Sequence, residues 1–409
     1  MITNFKNEKI VACLDMGSSK VVCMIAAIKG EAIEIIGHGV KESKGIVGSA
    51  ITDMRQAQKS IINAVSQAEK MAGINIDEVL VGISAIQTIS NHREVRTKIS
   101  SDSVRRCDVI SLTEKIRAEY KKRNREIIHL IPMQYSIDGS YPVDNPMHMV
   151  GNIITSKFHV ISIPKLIIQN IENCLKKCQI SVSSYIVDCY ASSLSCLDED
   201  EKSLRTLLID IGSHFTSFCL YNDEKIIYTN AVKYGGFNVT KDISMILNID
   251  VNEAEKVKNL NSSLIVSNIE RRELIRMVHG SLNGEVINIT REEFRDIMQA
   301  RLEEIFLGVK DVLLKSSIKI DMINNIVITG GATTTIGIDK VVADIFYKNV
   351  RVGYPKNIKT KFPDVFNNAN SCSLGMIEFL RQIYVKESNK RLTDTQSNWL
   401  KRVLEKILS

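Results

Sequence analysis

Two short runs in this chain have the residue types needed to hold a phosphate group. The first is Asp15-Met16-Gly17-Ser18-Ser19-Lys20, set between the apolar stretches that extend from Ile10 to Ala27. The second, 195 residues later, is Asp210-Ile211-Gly212-Ser213, led in by Leu207-Leu208-Ile209 and followed by Ser217-Phe218-Cys219-Leu220-Tyr221. Glycine lets a backbone approach a ligand closely, and consecutive N–H groups in such a turn form an anion nest. A carboxylate beside them, Asp15 or Asp210, can hold water on Mg²⁺, and the Lys20 ammonium offsets phosphate charge. Either run alone could be an ordinary turn, but their repetition at the spacing of a whole domain points to an internal duplication.

The apolar flanks of both runs predict a strand, tight turn and strand. A third apolar strand enters Ile328-Thr329-Gly330-Gly331-Ala332 and precedes a helical stretch, Ile338 to Phe346; a further glycine pair, Gly235-Gly236, follows Tyr234. Helical periodicity marks Met54 to Met71, Pro164 to Lys177, Val239 to Leu247 and Asn252 to Lys258. Thr290-x-x-Glu293 has the spacing of a capping box and opens a long helix through Phe294, Met298, Leu302, Ile305, Phe306 and Val309. From about Ser84 to Ile161 the rhythm changes to short strands around a basic helix, Leu112 to Arg125, as expected of an inserted subdomain.

Composition narrows the class of protein. A chain of 409 residues that is 44% apolar and 24% charged is long enough for two or three globular domains. A net charge of +6 does not by itself indicate a nucleic-acid binder, and none is expected as a partner. Nine cysteines with no C-x-x-C pair suit free thiols in a reducing compartment. Cys174 and Cys178 lie four apart on a predicted helix, but no histidine or carboxylate cluster completes a metal site there. The N-terminal region reads as carrying no signal peptide, and no run approaches the ~20 apolar residues that span a bilayer. Membrane contact would therefore be peripheral.

Residues 386–396, KESNKRLTDTQ, are polar without an apolar face and read as a flexible linker. Beyond them, a helical wheel over residues 397–409 puts Trp399, Leu400, Val403, Leu404, Ile407 and Leu408 on one half, and Lys401, Arg402, Glu405 and Lys406 on the other. Trp399 is the only tryptophan in the chain. So short a helix is marginal in water and needs a surface, either its own protein or a membrane. The polar stretch before it, the tryptophan and the cationic face suit anionic lipid. Burial of six apolar side chains supplies several kcal/mol, and each basic residue at an anionic surface adds about 1 kcal/mol. A single copy would bind reversibly; many copies held together would bind firmly.

The paired hairpins and the later glycine loop resemble the superfamily that contains actin, sugar kinases and chaperone ATPases. Within it the chain resembles the FtsA family of bacterial cell-division proteins. The residues that carry this are Asp15 to Lys20, His129-Leu130-Ile131-Pro132-Met133-Gln134-Tyr135-Ser136-Ile137-Asp138, Ala191-Ser192-Ser193, Tyr234-Gly235-Gly236, Glu253 to Lys258, Ile328 to Ala332 and Val350-Arg351-Val352-Gly353. The resemblance implies an actin-like α/β fold of two lobes, each a ribonuclease-H-like domain. The first lobe would span 1–83, 162–188 and 364–385; the insert 84–161; the second lobe 189–363, with a smaller subdomain at about 238–322. It also implies ATP with Mg²⁺ between the lobes, with phosphates at Gly17, Ser18, Ser19, Lys20, Gly212 and Ser213, and with Gly235 and Gly236 also at the cofactor. Glu255 and Lys258 would face ribose and base, and Gly330, Gly331 and Ala332 the adenosine. A solvated helix face is the plain alternative for the Glu255–Lys258 pair.

The family's second phosphate turn continues with small residues, whereas here Ser213-His214-Phe215 precede Thr216. A phenylalanine is expected to crowd such a turn, most of all at a positive φ. No catalytic residue is assigned, and at most a weak ATPase is implied. By resemblance the protein would self-assemble, sit on the cytoplasmic face of the inner membrane at the division site, and tether the C-terminal tail of the tubulin-like protein FtsZ. It would recruit later division proteins, and Arg301 would be a contact for the acidic tail unless it is simply an exposed helix arginine. The competing readings are a PilM-like adaptor of pilus assembly and an actin-fold kinase.

Overall fold

The computed structural model describes residues 8–278, 286–316, 318–355 and 358–393. The first strands are β1 (Lys9–Met16), β2 (Lys20–Lys29) and β3 (Ala32–Glu42), an antiparallel meander, followed by the small hairpin of β4 (Ile46–Val47) and β5 (Ala50–Ile51). Helix α1 (Met54–Ala72) begins where the Asp53 side chain accepts the free N–H groups of Arg55 and Gln56 at 2.9 and 3.0 Å, and stops at Gly73 in the left-handed conformation. It buries Ala57, Ile61, Ala64, Val65 and Ala68 against the meander, and the chain then returns through β6 (Glu78–Ile83).

The inserted unit comprises β7 (Ile89–Lys98), α2 (Arg106–Lys122), β8 (Arg125–Ile137) and β9 (Ile153–Pro164). Its three strands pair in the order β7-β9-β8, and α2 closes a separate small core with Leu112, Ile116, Tyr120 and Phe158. The chain rejoins the first lobe through α3 (Lys165–Lys177), β10 (Ser181–Val187), α4 (Asp188–Cys196) and α5 (Glu199–Ser203).

The second lobe repeats the plan. A meander of β11 (Thr206–Ile211), β12 (Thr216–Asn222) and β13 (Lys225–Val232) leads into α6 (Gly236–Leu247), α7 (Val251–Leu260), the ribbon β14 (Leu274–Val278) and β15 (Val286–Thr290), and α8 (Arg291–Lys315). The capping box at the start of α8 has the expected form: Thr290 Oγ1 accepts the Glu293 N–H and Glu293 accepts the Thr290 N–H. β16 (Asn325–Thr329), α9 (Ile338–Phe346) and β17 (Asn349–Val352) complete the lobe; β18 (Lys359–Thr360) and α10 (Ser371–Thr393) return to the first.

The two sheets run β10-β6-β1-β2-β3-β18 and β17-β16-β11-β12-β13. In both, two parallel strands flank the first strand of a meander, so the duplication read from two hairpins extends to whole-sheet topology. The helix α10 corrects one expectation. It runs through Thr393, so residues 386–393 continue a helix instead of forming a linker. Missing apolar periodicity rules out a packed stripe, not a helix, and this stretch is free of glycine and proline and holds Lys386, Glu387, Lys390, Arg391 and Leu392, all good helix formers. Residues 397–409, with Trp399 and its neighbours, lie outside the described residues.

Candidate functional site

The aspartates of both hairpins sit near the ends of strands, just before the glycine turns. In the first hairpin, Asp15 pairs with Val22 and Met16 with Val21, leaving Gly17, Ser18, Ser19 and Lys20 between the paired ends. In the second, Asp210 pairs with Ser217 and Ile211 with Thr216, so that turn, Gly212 to Phe215, has the same length and places Phe215 where the first hairpin has Lys20. It is closed by a 3.0 Å bond from the Gly212 N–H to the Phe215 carbonyl. None of Ser213, His214 and Phe215 has a positive φ. The backbone of the turn therefore carries no left-handed residue for the phenylalanine to strain.

The glycine loops of the second lobe meet at this turn. The N–H groups of Gly236 and Phe237, at the start of α6, bond the carbonyls of Gly212 and Ser213 at 2.9 and 2.8 Å. A Cβ on Gly235 would lie 2.5 Å from the Ser213 carbonyl oxygen. Gly330, with φ of +94°, packs against Asp210, and a Cβ there would come 2.4 Å from its Oδ1 and 2.5 Å from the Ile211 oxygen. Only glycine fits either place.

Together these turns line one cleft of about 620 Å³ between the lobes, a size suited to a small-molecule ligand. Asp15, Gly17, Ser18, Ser19 and Lys20 line it from the first lobe. Asp210, Gly212, Ser213, Gly236, Glu255, Lys258, Gly330, Gly331 and Ala332 line it from the second. Gly235 is one residue removed and supports the Gly212–Ser213 turn from behind. Glu255 and Lys258 form an ion pair at 2.7 Å on α7, and Lys258 also donates to Thr240 Oγ1 at 2.8 Å and to the Gly236 carbonyl at 3.3 Å. Thr240 in turn donates to Glu255. The pair is thus tied to the start of α6 and is not a freely solvated helix face.

The floor of the cleft is rich in carboxylates. Burial, reinforced by repulsion from Asp188 and Asp15, pushes the Asp210 carboxyl up to about 7 against the bond from Ser192. Burial raises Asp188 to about 6 although Ser217 Oγ, at 2.8 Å, and the N–H groups of Cys189 and Ala85 donate to it. Asp15 is raised by burial too, with Lys20 opposing. Lys20 is lowered by burial, held up by Asp15, and donates to Asn370 Oδ1 at 2.8 Å. Three enclosed carboxylates against one ammonium leave an excess of negative charge that a divalent cation would offset. Among the described residues no group of three or more His, Cys, Asp or Glu side chains is arranged to hold a metal ion directly. That donor set fits a cation carried on phosphate oxygens and water, with Asp15 and Asp210 outside its first ring of ligands.

Sequence reasoning missed Asp188 as well as the Gly48–Ser49 turn, Asn368 and Cys372, which also line the cleft. Asp188 follows an ordinary apolar strand with no glycine or repeat beside it, so only the meeting of β10, β12 and the segment after β6 reveals it. Arg301 is placed outside the cleft, where its guanidinium grips Asp242 on α6 through two nitrogens and reaches Glu304. An acidic peptide would have to compete with both. Cys174 is buried, Cys178 half-buried, and all nine cysteines are free. No helix among the described residues is long and apolar enough to cross a membrane.

Comparison with known proteins places these features in a lineage. A family model described as cell division protein FtsA matches residues 207–375, and one described as an SHS2 domain inserted in FtsA matches 85–162, together more than half of the chain. The cell division protein FtsA of Agrobacterium fabrum is 28% identical over 366 residues, covering 86% of this chain and 83% of that protein. Among solved structures, a PilM–PilN type IV pilus biogenesis complex contains a chain with a TM-score of 0.65 at 13% identity, covering 90% of this chain and 98% of that one. MreB5 of Spiroplasma citri bound to ADP gives 0.55 at 16% identity, covering 93% and 99%. At these identities the structures establish the fold, which is actin-like and two-lobed.

Proposed function

The chain belongs to the FtsA family of cell-division proteins, and from that premise we propose that it binds ATP in the interlobe cleft, assembles with itself, and anchors FtsZ to the cytoplasmic face of the membrane. The observation that supports nucleotide binding is the convergence of four glycine-bearing turns, two from duplicated hairpins, on one cleft with Lys20 and an excess of carboxylate. Gly17 to Lys20 and Gly212–Ser213 would hold the phosphates, Glu255 and Lys258 the ribose and base, and Gly330 to Ala332 the adenosine. Mg²⁺ would neutralise phosphate charge when bound, with Asp15 and Asp210 ordering its water. Nucleotide would serve mainly as a structural ligand and assembly switch.

Trp399, Leu400, Val403, Leu404, Ile407 and Leu408 would enter the membrane, and Lys401, Arg402 and Lys406 would meet anionic headgroups. Self-assembly would convert this reversible contact into firm attachment and so allow FtsZ and later division proteins to be recruited at the division site. The test is flotation of the full chain and of a chain ending at Thr393 with vesicles of phosphatidylglycerol and phosphatidylethanolamine, with Mg-ATP and then FtsZ. Flotation of FtsZ only with the full chain supports the anchor. Equal flotation of both chains removes the anchoring role of residues 394–409 and favours the PilM-like alternative, and flotation of the full chain without FtsZ removes the FtsZ tether.

A further inference from the structure

We propose that Phe215 is a positioning residue for the nucleotide: it reaches from the second lobe to the first, pins the Gly48 turn, and through it orients the Ser18 hydroxyl. This rests on the nucleotide-binding reading of the cleft and assigns a role to the one residue that departs most from the family pattern. Gly48 lies between β4 and β5 with φ of +51° and is buried. A Cβ built on it would come 2.7 Å from Phe215 Cε2, 3.1 Å from Cζ, and 2.9 Å from Ile86 Cγ2. The phenyl ring therefore lies directly against the Gly48 backbone, across the cleft from the turn that carries it.

The Gly48 N–H donates to Ser18 Oγ at 2.9 Å, in the turn of the first hairpin. With one lone pair of that hydroxyl engaged, its proton is left to donate elsewhere, and Ser18 lines the cleft. On the other side Phe215 closes the second turn, since its carbonyl accepts the Gly212 N–H. The three turns therefore form one chain of contacts, from Gly212 through Phe215 and Gly48 to Ser18. A ligand whose phosphates span both hairpins needs them at one separation, and the Phe215–Gly48 contact is a strut that sets it. The bulky side chain that was expected to hinder binding instead supports it, because the ring packs on the Gly48 turn of the first lobe.

The test is a double-mutant cycle on the full chain, with Mg-ATP affinity read by titration calorimetry and thermal unfolding followed in parallel. Phe215→Ala and Phe215→Leu are both expected to weaken Mg-ATP binding, Ala about tenfold and Leu less, since leucine keeps apolar bulk without the reach. Ser18→Ala is expected to weaken it by a similar factor. If Phe215 acts through Gly48 on Ser18, then Phe215→Ala adds less than twofold in the Ser18→Ala background, whatever it does to unfolding. Effects that multiply instead, or an affinity unchanged within twofold in Phe215→Ala, overturn the strut while leaving the nucleotide reading in place. A parent chain that binds no Mg-ATP overturns that reading and the strut with it. Gly48→Ala supplies the converse: it is expected to weaken binding in the parent, by clash with the ring, and by a smaller factor in Phe215→Ala.

Discussion

At the scale of single residues, the cleft is defined by places where no larger group fits and by charges that burial makes unstable. Gly330 is both left-handed and in contact with Asp210. Gly330→Ala is expected to lower unfolding stability by about 1–3 kcal/mol, the usual cost of such backbone strain, and to reduce Mg-ATP affinity at least tenfold by displacing Asp210; denaturant titration and calorimetry check the two effects. Asp210 carries a pH signature. Its folded value, about 7, lies above the ordinary carboxylate value, so between about pH 4 and 7 the folded chain keeps a proton that the unfolded chain has released. Its contribution is therefore fully present below pH 4 and is lost as pH rises towards 7, at up to about 1.4 kcal/mol per pH unit. Asp210→Asn should lack this component in a comparison of stability against pH with the parent. Mg-ATP should flatten it in the parent, because a bound cation favours the ionised carboxylate.

At the scale of elements, the insert does more than decorate the first lobe. Its strands also meet β13 of the second lobe, where His159 Nδ1 donates to the Ile226 carbonyl at 2.7 Å and the Thr229 N–H donates to Ser90 Oγ at 3.2 Å. Lys225 returns the contact to the Met133 carbonyl at 2.9 Å and to Asp144 at 3.0 Å. Burial drives the His159 imidazole down to about 3, so it is neutral at pH 7, with Nε2 accepting from Ser90. Here the sign is opposite to that of Asp210: the folded value lies below the unfolded ~6.5, so the stabilisation is present above pH 6.5 and is lost as pH falls towards 3. Amide exchange in β7, β9 and β13 should accelerate below pH 6 ahead of β1 and β2. His159→Gln should remove that acid sensitivity. Retained acid sensitivity in the variant would show that another group controls the interface.

At the scale of the whole molecule, a ligand held by turns from both lobes stabilises the folded chain by mass action, about 2.7 kcal/mol at a hundredfold excess over its dissociation constant. Mg-ATP should therefore raise the unfolding temperature by a few degrees, and Gly330→Ala should respond little. Assembly and membrane attachment belong to the same scale. If many weak anchors act together, vesicle binding should rise more steeply than linearly with protein concentration, and a variant with Trp399→Ala and Leu400→Ala should shift the curve without changing nucleotide affinity. A linear curve would mean that each copy binds alone.

Much of this was legible in the chain itself, because hairpins, helix periods and caps are written in neighbouring residues. The two Asp-x-Gly-Ser runs revealed the duplication, Thr290 and Glu293 the start of α8, and the periods of α1, α3, α6 and α9 their positions to within a few residues. Other features depend on partners distant in sequence. The polar end of α10 looks like a linker because sequence periodicity reports packing, while the helix there needs only propensity. Asp188 looks ordinary until β10 and β12 bring it beside Asp210. Phe215 read as an obstruction because its turn could be judged only in isolation. That its ring supports Gly48 was decided when the two lobes came to face each other, by a separation that no local run of residues encodes.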